Sequence, residues 1–216
     1  MYAVLVDEKQ NLNWTEVPDP VAGENEVLIE IHAAALNRAD LLQRAGKYPP
    51  PPGWPEWMGL EVAGIVLSAP ADSRWKKGDK VCALLGGGGY AEKVAVPQNM
   101  VLPVPHGLSM TEAAALPEAF ATSCLNLCIE AGMKSGDTVF IQAGASGLGI
   151  AAIQLAKAFG AKVIATVGSD KKAEAVRRLG ADIVVNRKTD NLRRILEESP
   201  VDIVLDCVRG TGLGKH

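Results

Sequence analysis

The chain has 216 residues, with 25 acidic and 22 basic side chains and a formal net charge of −3 when its three histidines are neutral. Apolar residues make up 48% and charged residues 22%, the balance of an ordinary globular chain, which excludes a disordered, collagenous or supercharged one. Near neutrality and without a basic stripe, it offers little electrostatic support for sequence-independent nucleic-acid binding.

At roughly 150 residues per domain, the length allows one large domain or two small ones. Aromatic residues are only 5%, so aliphatic side chains and alanine must fill the cores. No long uninterrupted apolar window occurs, and the opening MYAVLVDEK lacks a basic leader and a cleavage site, so a cytoplasmic chain without a membrane segment is expected. Cys82, Cys124, Cys128 and Cys207 show no paired CxxC and no histidine at ligand spacing, which suggests neither a disulfide framework nor a zinc site. Cys124 and Cys128 lie four apart in a predicted helix and therefore share a face. A buried, reduced pair is the expectation, with a redox pair as the alternative.

Taken in order, the first 105 residues read as short strands at 3–6, 26–32, 62–67, 80–85 and 91–96, punctuated by Pro18, Pro20, Gly23, Gly78 and Gly86 to Gly89. Such spacing predicts a small β-barrel or sandwich. A helix over 38–44, closed by Gly46, interrupts it, and the loop Tyr48 to Trp57 follows with four consecutive prolines. That loop is expected to be a stiff wall of a cleft, with an SH3-type ligand as the alternative. Ser109 and Glu112 form a capping box, and the helix after them should break near Pro117. Next come a strand at 138–142, a helix at 147–159, a strand at 162–167, a helix at 170–179, a strand at 182–185, a helix at 191–198 and a strand at 201–208. Strands without polar alternation, joined by amphipathic helices, require a parallel sheet covered on both faces.

Between the first of these strands and its helix lies Ala143-Gly144-Ala145-Ser146-Gly147-Leu148-Gly149. Small residues allow a tight turn and close approach of a pyrophosphate, while the helix start supplies free N–H groups and the positive end of its dipole. The glycine pattern fits either Gly144-x-Ser146-x-x-Gly149 or Gly147-x-Gly149-x-x-Ala152. Cofactor choice should be readable at the next strand tip, where an acid would grip the ribose hydroxyls. That tip reads Thr166-Val167-Gly168-Ser169, and residues 170 to 188 carry six basic side chains against three acidic ones. The pattern favours a 2′-phosphate held by Ser169, Lys172 and Arg187, and hence NADP over NAD. The alternatives are a solvated helix face with Ser169 merely capping it, or Asp170 turned toward a ribose.

Several motifs then run in order along the chain: Ala35-Leu36-Asn37-Arg38-Ala39-Asp40, Gly59-Leu60-Glu61-Val62-Ala63-Gly64, Gly78-Asp79-Lys80-Val81, Gly88-Gly89-Tyr90-Ala91-Glu92, Leu116-Pro117-Glu118-Ala119, and Ala143 to Gly149 followed by Ala151-Ala152-Ile153-Gln154. With them the chain resembles the medium-chain dehydrogenase/reductases, and within these the zinc-free NADPH:quinone oxidoreductases of the zeta-crystallin type. The resemblance implies an α/β protein: a GroES-like β-barrel domain over 1–118 that carries substrate, then an NADP-binding, doubly wound Rossmann domain over 119–216, with the active site in the cleft between them. It also implies that Asn37, Asp40 and Tyr48 face the substrate, Tyr48 as proton donor or stacking surface, and that Thr122 lies on the nicotinamide side. Gly144, Ala145, Ser146, Gly147, Leu148 and Gly149 would hold the pyrophosphate, and Gly168, Ser169, Lys172 and Arg187 the adenosine phosphate. Asn37 could instead bond only turn backbone, Asp40 could pair with Arg38 or Arg44, and Glu61 is expected to hold barrel structure. His32 and His106 are expected to be structural or solvent-facing.

Zinc-dependent relatives place a cysteine where this chain has Asn37 and a histidine where it has Leu60, so the resemblance implies no metal. The implied activity is reduction of quinones by NADPH. Reduction of an enone or enoyl thioester is a second reading, and an inactive product that only binds nucleotide or other chains is a third. Family members are longer, so the second mononucleotide half is expected to be incomplete, with 201–208 an exposed edge, the dimerising edge missing, and Arg209 to His216 in no helix or strand.

Overall fold

The computed structural model describes residues 1 to 208, so the reading of Arg209 to His216 lies outside the described residues. The chain divides into two compact units, the first Met1–Glu118 and the second from Ala119 onward.

The first unit holds β1 (Tyr2–Val6), β2 (Leu12–Glu16), β3 (Glu26–Ala34), α1 (Arg38–Arg44), β4 (Glu61–Ser68), β5 (Lys80–Leu84), β6 (Lys93–Pro97), β7 (Val101–Pro103) and α2 (Met110–Ala113). Five strands pair antiparallel in the order β6-β3-β4-β5-β7, and β1 and β2 form a separate ribbon tied on by an Ala3–Ala91 bridge. The predicted barrel takes the form of a curled half-barrel with β6 and β7 as its edges. Val27 and Ile29 of β3 obey the period of two and bury against Val62, Val66, Val81, Val94 and Val96 around Trp75. On the other side Ala63 and Cys82 pack under Ala113 and Ala114, so β4 is buried on both faces. The sequence reading missed β2 and β7. Every residue of β2 is exposed, which removes the alternation a strand is read from, and β7 has only three residues.

The capping box forms as expected: the Ser109 N–H and hydroxyl both donate to Glu112 Oε2, and the Glu112 N–H donates back to Ser109 Oγ. Pro117 begins a new helix, α3 (Pro117–Cys124), because its missing N–H costs nothing at a first helical position. A π-helical turn, Leu125–Glu130, continues it, with Ala131 N–H bonded to Asn126 O five residues back. Cys124 and Cys128 fall on either side of that junction and are half-buried, a correction to the buried pair expected.

In the second unit β8 (Thr138–Ile141), α4 (Gly147–Ala158), β9 (Lys162–Val167), α5 (Asp170–Arg178), β10 (Ile183–Asn186), α6 (Leu192–Glu198) and β11 (Ile203–Leu205) alternate. The four strands are parallel in the order β10-β9-β8-β11. One face packs Val139, Ile141, Val163 and Ala165 against Ala152, Ile153 and Ala156 of α4 and Val176 of α5. The other packs Phe140, Ile164 and Val185 against Leu192, Ile195 and Leu196 of α6. This two-sided burial is why the strands lack polar alternation. β11 is shorter than the predicted 201–208, and it stands at an edge of the described sheet. Among the described residues no helix is long and apolar enough to cross a membrane.

Strand β4 approaches β3 so closely at Gly64 that an added β-carbon would stand 1.9 Å from Glu30 O. Gly64→Ala is therefore expected to lower stability by about 1–3 kcal/mol, the usual cost of overpacking, read as a lower urea midpoint.

Candidate functional site

The turn after β8 is built by contacts with the neighbouring strand. Ala143 takes a left-handed backbone (φ 51°), and its N–H donates to Thr166 Oγ1 at 3.1 Å, while Gly144 N–H donates to Thr166 O at 2.8 Å. A β-carbon on Gly144 would meet Ala165 Cβ at 2.9 Å, and one on Gly149 would meet Ala143 O at 2.5 Å. Those two close approaches select the register Gly144-x-Ser146-x-x-Gly149 over the alternative ending at Ala152. Gly147 is different, because a β-carbon there would meet nothing within 4 Å. It faces open space.

Ser146 caps α4, its Oγ accepting from Gly149 N–H at 3.0 Å and its carbonyl from Ile150 N–H, while its own N–H bonds Ala143 O. The N–H groups of Ala145, Gly147 and Leu148 have no acceptor among the described residues. Three unpaired donors thus converge at the positive end of a 12-residue helix.

Beside them is a cavity of about 170 Å³, walled by Ala143, Ala145 and Ser146 of the turn, Thr166, Val167 and Gly168 at the end of β9, Lys172 of α5 and Arg187 just past β10. The Arg187 guanidinium lies over Gly168, 3.6 Å from where a β-carbon would be. Among the described residues neither Lys172 nor Arg187 forms an ion pair. Of the predicted phosphate residues, Ser169 is absent from this wall: it sits at the N-cap of α5, yet its side chain makes no capping bond. Asp170 Oδ1 accepts from Asn186 Nδ2 at 2.9 Å, and Asp170 is not part of the cavity wall. Thr122 lies in α3, half-buried, and takes no part in this cavity. The sequence reading did not single out Thr166, Asn186 or Cys207 for this site. Cys207, beyond β11, has a thiol pushed up by burial, hydrogen-bonded to Ser146 and to Gln142 O. Its signal was topological, since β11 lies next to β8 where the strand order reverses.

The first unit gathers a second set of polar residues. Asp40, 5% exposed, accepts at Oδ2 from Asn37 N–H and from the Tyr90 hydroxyl, both at 2.6 Å. Its Oδ1 is buried with no partner. Pairing with Arg38 or Arg44 does not occur, and Arg44 Nε donates to Gln10 O instead. Asn37 Nδ2 donates to Glu61 Oε1 at 2.9 Å, so its amide reaches past the turn backbone. Glu61 also accepts from Glu118 N–H and is the structural residue expected. Burial pushes the Glu61 carboxyl up against those two donated bonds, and pushes the Tyr90 phenol far up, aided by its bond to Asp40. The Gly88-Gly89-Tyr90-Ala91-Glu92 motif does not by itself reveal the role of Tyr90, which depends on a partner 50 residues away.

Tyr48 is 43% exposed and stands apart from this cluster's hydrogen bonds. The proline-rich loop it opens folds onto the glycines of 86–89, with Trp57 Nε1 donating to Gly88 O and Trp54 against Gly86. The loop walls a larger hollow of about 680 Å³ along β6, lined by Pro52 to Pro55 and Trp57 but not by Tyr48. The one cation on that hollow's wall, Lys93, is paired with Asp19, and among the described residues no helix start opens onto it, so the smaller cavity with its two free cations is the better candidate site despite its size.

Residues 23–106 match the family model described as "Alcohol dehydrogenase GroES-like domain", and residues 147–213 the model described as "Zinc-binding dehydrogenase". The chain is 33% identical over 207 residues to the quinone oxidoreductase of Sus scrofa, covering 93% of this chain and 63% of that protein's length. The structure superposes on the quinone oxidoreductase of Thermus thermophilus, solved also as its complex with NADPH, with a TM-score of 0.81 at 36% identity, covering 98% of this chain and 68% of that one. It superposes on CurK enoyl reductase with a TM-score of 0.86 at 31% identity, covering 97% and 68%. The chain belongs to the medium-chain dehydrogenase/reductase superfamily.

The raised Glu61 carboxyl has a measurable consequence. The native chain holds this proton more tightly than the unfolded chain, so the associated stability is full below the ordinary value of 4.5 and is lost as pH rises through the higher native value. Urea midpoints measured against pH for wild type and Glu61→Gln should show this extra loss in the wild type only.

Proposed function

We propose that the chain carries the nucleotide- and substrate-binding residues of an NADPH-dependent oxidoreductase that reduces quinones without a metal. The observation that carries this reading is the set of three unpaired N–H groups, on Ala145, Gly147 and Leu148, beside a cavity holding two unpaired cations. The residues fit the nucleotide. Gly147 leaves the space a diphosphate would occupy, and free N–H groups at a helix start suit its charge. Arg187 and Lys172 would take the 2′-phosphate over Gly168, with Ser169 next to it on the chain. Thr122 is assigned to the nicotinamide side.

When bound, NADPH supplies the hydride, and the protein's task is to fix geometry. Asn37 and Asp40 are assigned to the substrate side with Tyr48. Asp40 Oδ1, buried without a donor, is an acceptor in want of a hydroxyl or water, while Tyr90 and Asn37 N–H hold its other oxygen still. Tyr48, half out in solvent, can stack on a ring or donate its phenolic proton. The Asn37 amide and the Leu60 side chain are not zinc ligands, which supports a quinone, an acceptor strong enough to need no Lewis acid. The likeness to an enoyl reductase supports a second reading, hydride delivery to an enone or enoyl thioester.

Mixing the chain with NADPH and an ortho-quinone, with an enoyl thioester in parallel, tests both. Quinone-dependent NADPH loss is the expected result, thioester-dependent loss favours the second reading, and binding without turnover refutes activity of this chain. Gly147→Val should abolish nucleotide binding with little change in the unfolding midpoint, because its side chain fills only the open space. Lys172→Ala with Arg187→Ala should weaken NADPH by roughly 100-fold to 10,000-fold, since each of the two charge-assisted bonds is worth about 1.5–3 kcal/mol, and leave NADH nearly unchanged. Titration by nucleotide fluorescence reads both, and equal losses would remove the phosphate assignment.

A further inference from the structure

The two thiols at the junction of α3 and the π-helical turn are used by neither site described above. Cys124 is the last residue of α3 and Cys128 lies within Leu125–Glu130, four residues on and on the same face. Burial and the neighbouring Cys124 thiol push the Cys128 thiol up, and both side chains are half-buried. Cys128 also packs against the sheet core, which holds its side chain in place. The other two cysteines are committed elsewhere. Cys82 is 2% exposed, its thiol pushed up to about 11 by burial, and Cys207 is bonded to Gln142 O and Ser146.

Helix geometry decides what such a pair can do. Side chains four apart on a helix have β-carbons about 5–6 Å apart, whereas a disulfide needs them within about 3.5–4.5 Å. A direct S–S bond would require the backbone to close up, but one atom placed between the sulfurs spans the gap with no such movement. Thiolates select soft partners. We propose that Cys124 and Cys128 form a dithiol clamp for a soft, thiophilic centre that takes two sulfur ligands, of which a trivalent arsenical is the defining class.

With phenylarsine oxide the step balances without an oxidant. Each thiol gives up its proton, two S–As bonds form, the oxygen leaves as water, and arsenic stays trivalent. Intact-mass analysis of the native chain after one equivalent of phenylarsine oxide should show a single adduct with loss of two titratable thiols. The adduct should be lost in Cys124→Ser and in Cys128→Ser, and kept in the double variant Cys82→Ser with Cys207→Ser. Circular dichroism of each variant checks that it is folded. An adduct that survives Cys128→Ser, or a folded wild-type chain whose two thiols alkylate with iodoacetamide yet take up no arsenical, would overturn the proposal.

Discussion

Thr166 gives the second unit its candidate site. By accepting the N–H of Ala143 on its hydroxyl and that of Gly144 on its carbonyl, it satisfies the second and third amides after β8 from the neighbouring strand, while the first, on Gln142, bonds Leu205 O. The turn spends one further donor internally, Ser146 N–H on Ala143 O, and Ser146 answers Gly149 N–H with its hydroxyl and Ile150 N–H with its carbonyl. What is left over is the unpaired set at Ala145, Gly147 and Leu148. A buried turn with spare donors is normally unfavourable, because an unmet N–H costs about 1–3 kcal/mol. Here the spare donors sit at a helix start beside an open space, where an anion can meet them. Ala143, held in a left-handed conformation without being glycine, marks where the backbone is bent to make this possible.

The acid cluster of the first unit follows an opposite logic. Asp40 closes the N-terminus of α1 by taking the N–H of Asn37, and Asn37 spends its amide on Glu61, which in turn takes the N–H of Glu118. Each bond fixes one more buried polar group, so positions 37, 40, 61, 90 and 118 hold each other although they are scattered along the sequence. The chain of bonds ends at Asp40 Oδ1. One unmet oxygen in an otherwise satisfied network is where a ligand atom has most to offer.

The smallest residues carry the largest geometric burden. Gly64 lets two strands touch, Gly149 lets a helix start sit on its own turn, and Gly147 keeps a space clear. Three glycines that look alike in composition thus serve strand pairing, helix packing and ligand access in turn.

Local chemistry made much of this legible from the residues alone. Helix α1 from Arg38 to Arg44, the capping box at Ser109, the break at Pro117, the β9 span and the parallel order of the second unit all follow from short-range rules, in which a proline, a cap or a period of apolar residues acts within one turn or strand. The glycine turn was visible for the same reason, and so were Lys172 and Arg187, because a run of cations after a strand tip needs no distant partner to be noticed. Contacts across sequence distance were not visible. Nothing near Tyr90 announces Asp40, nothing near Thr166 announces Ala143, and the choice between two glycine registers rested on which backbone atoms come within 3 Å. Composition and periodicity specify which elements form and which faces are apolar, since those depend on neighbours in the chain. The pairing of buried hydrogen-bond groups depends on which elements become neighbours in space, and only the folded chain decides that.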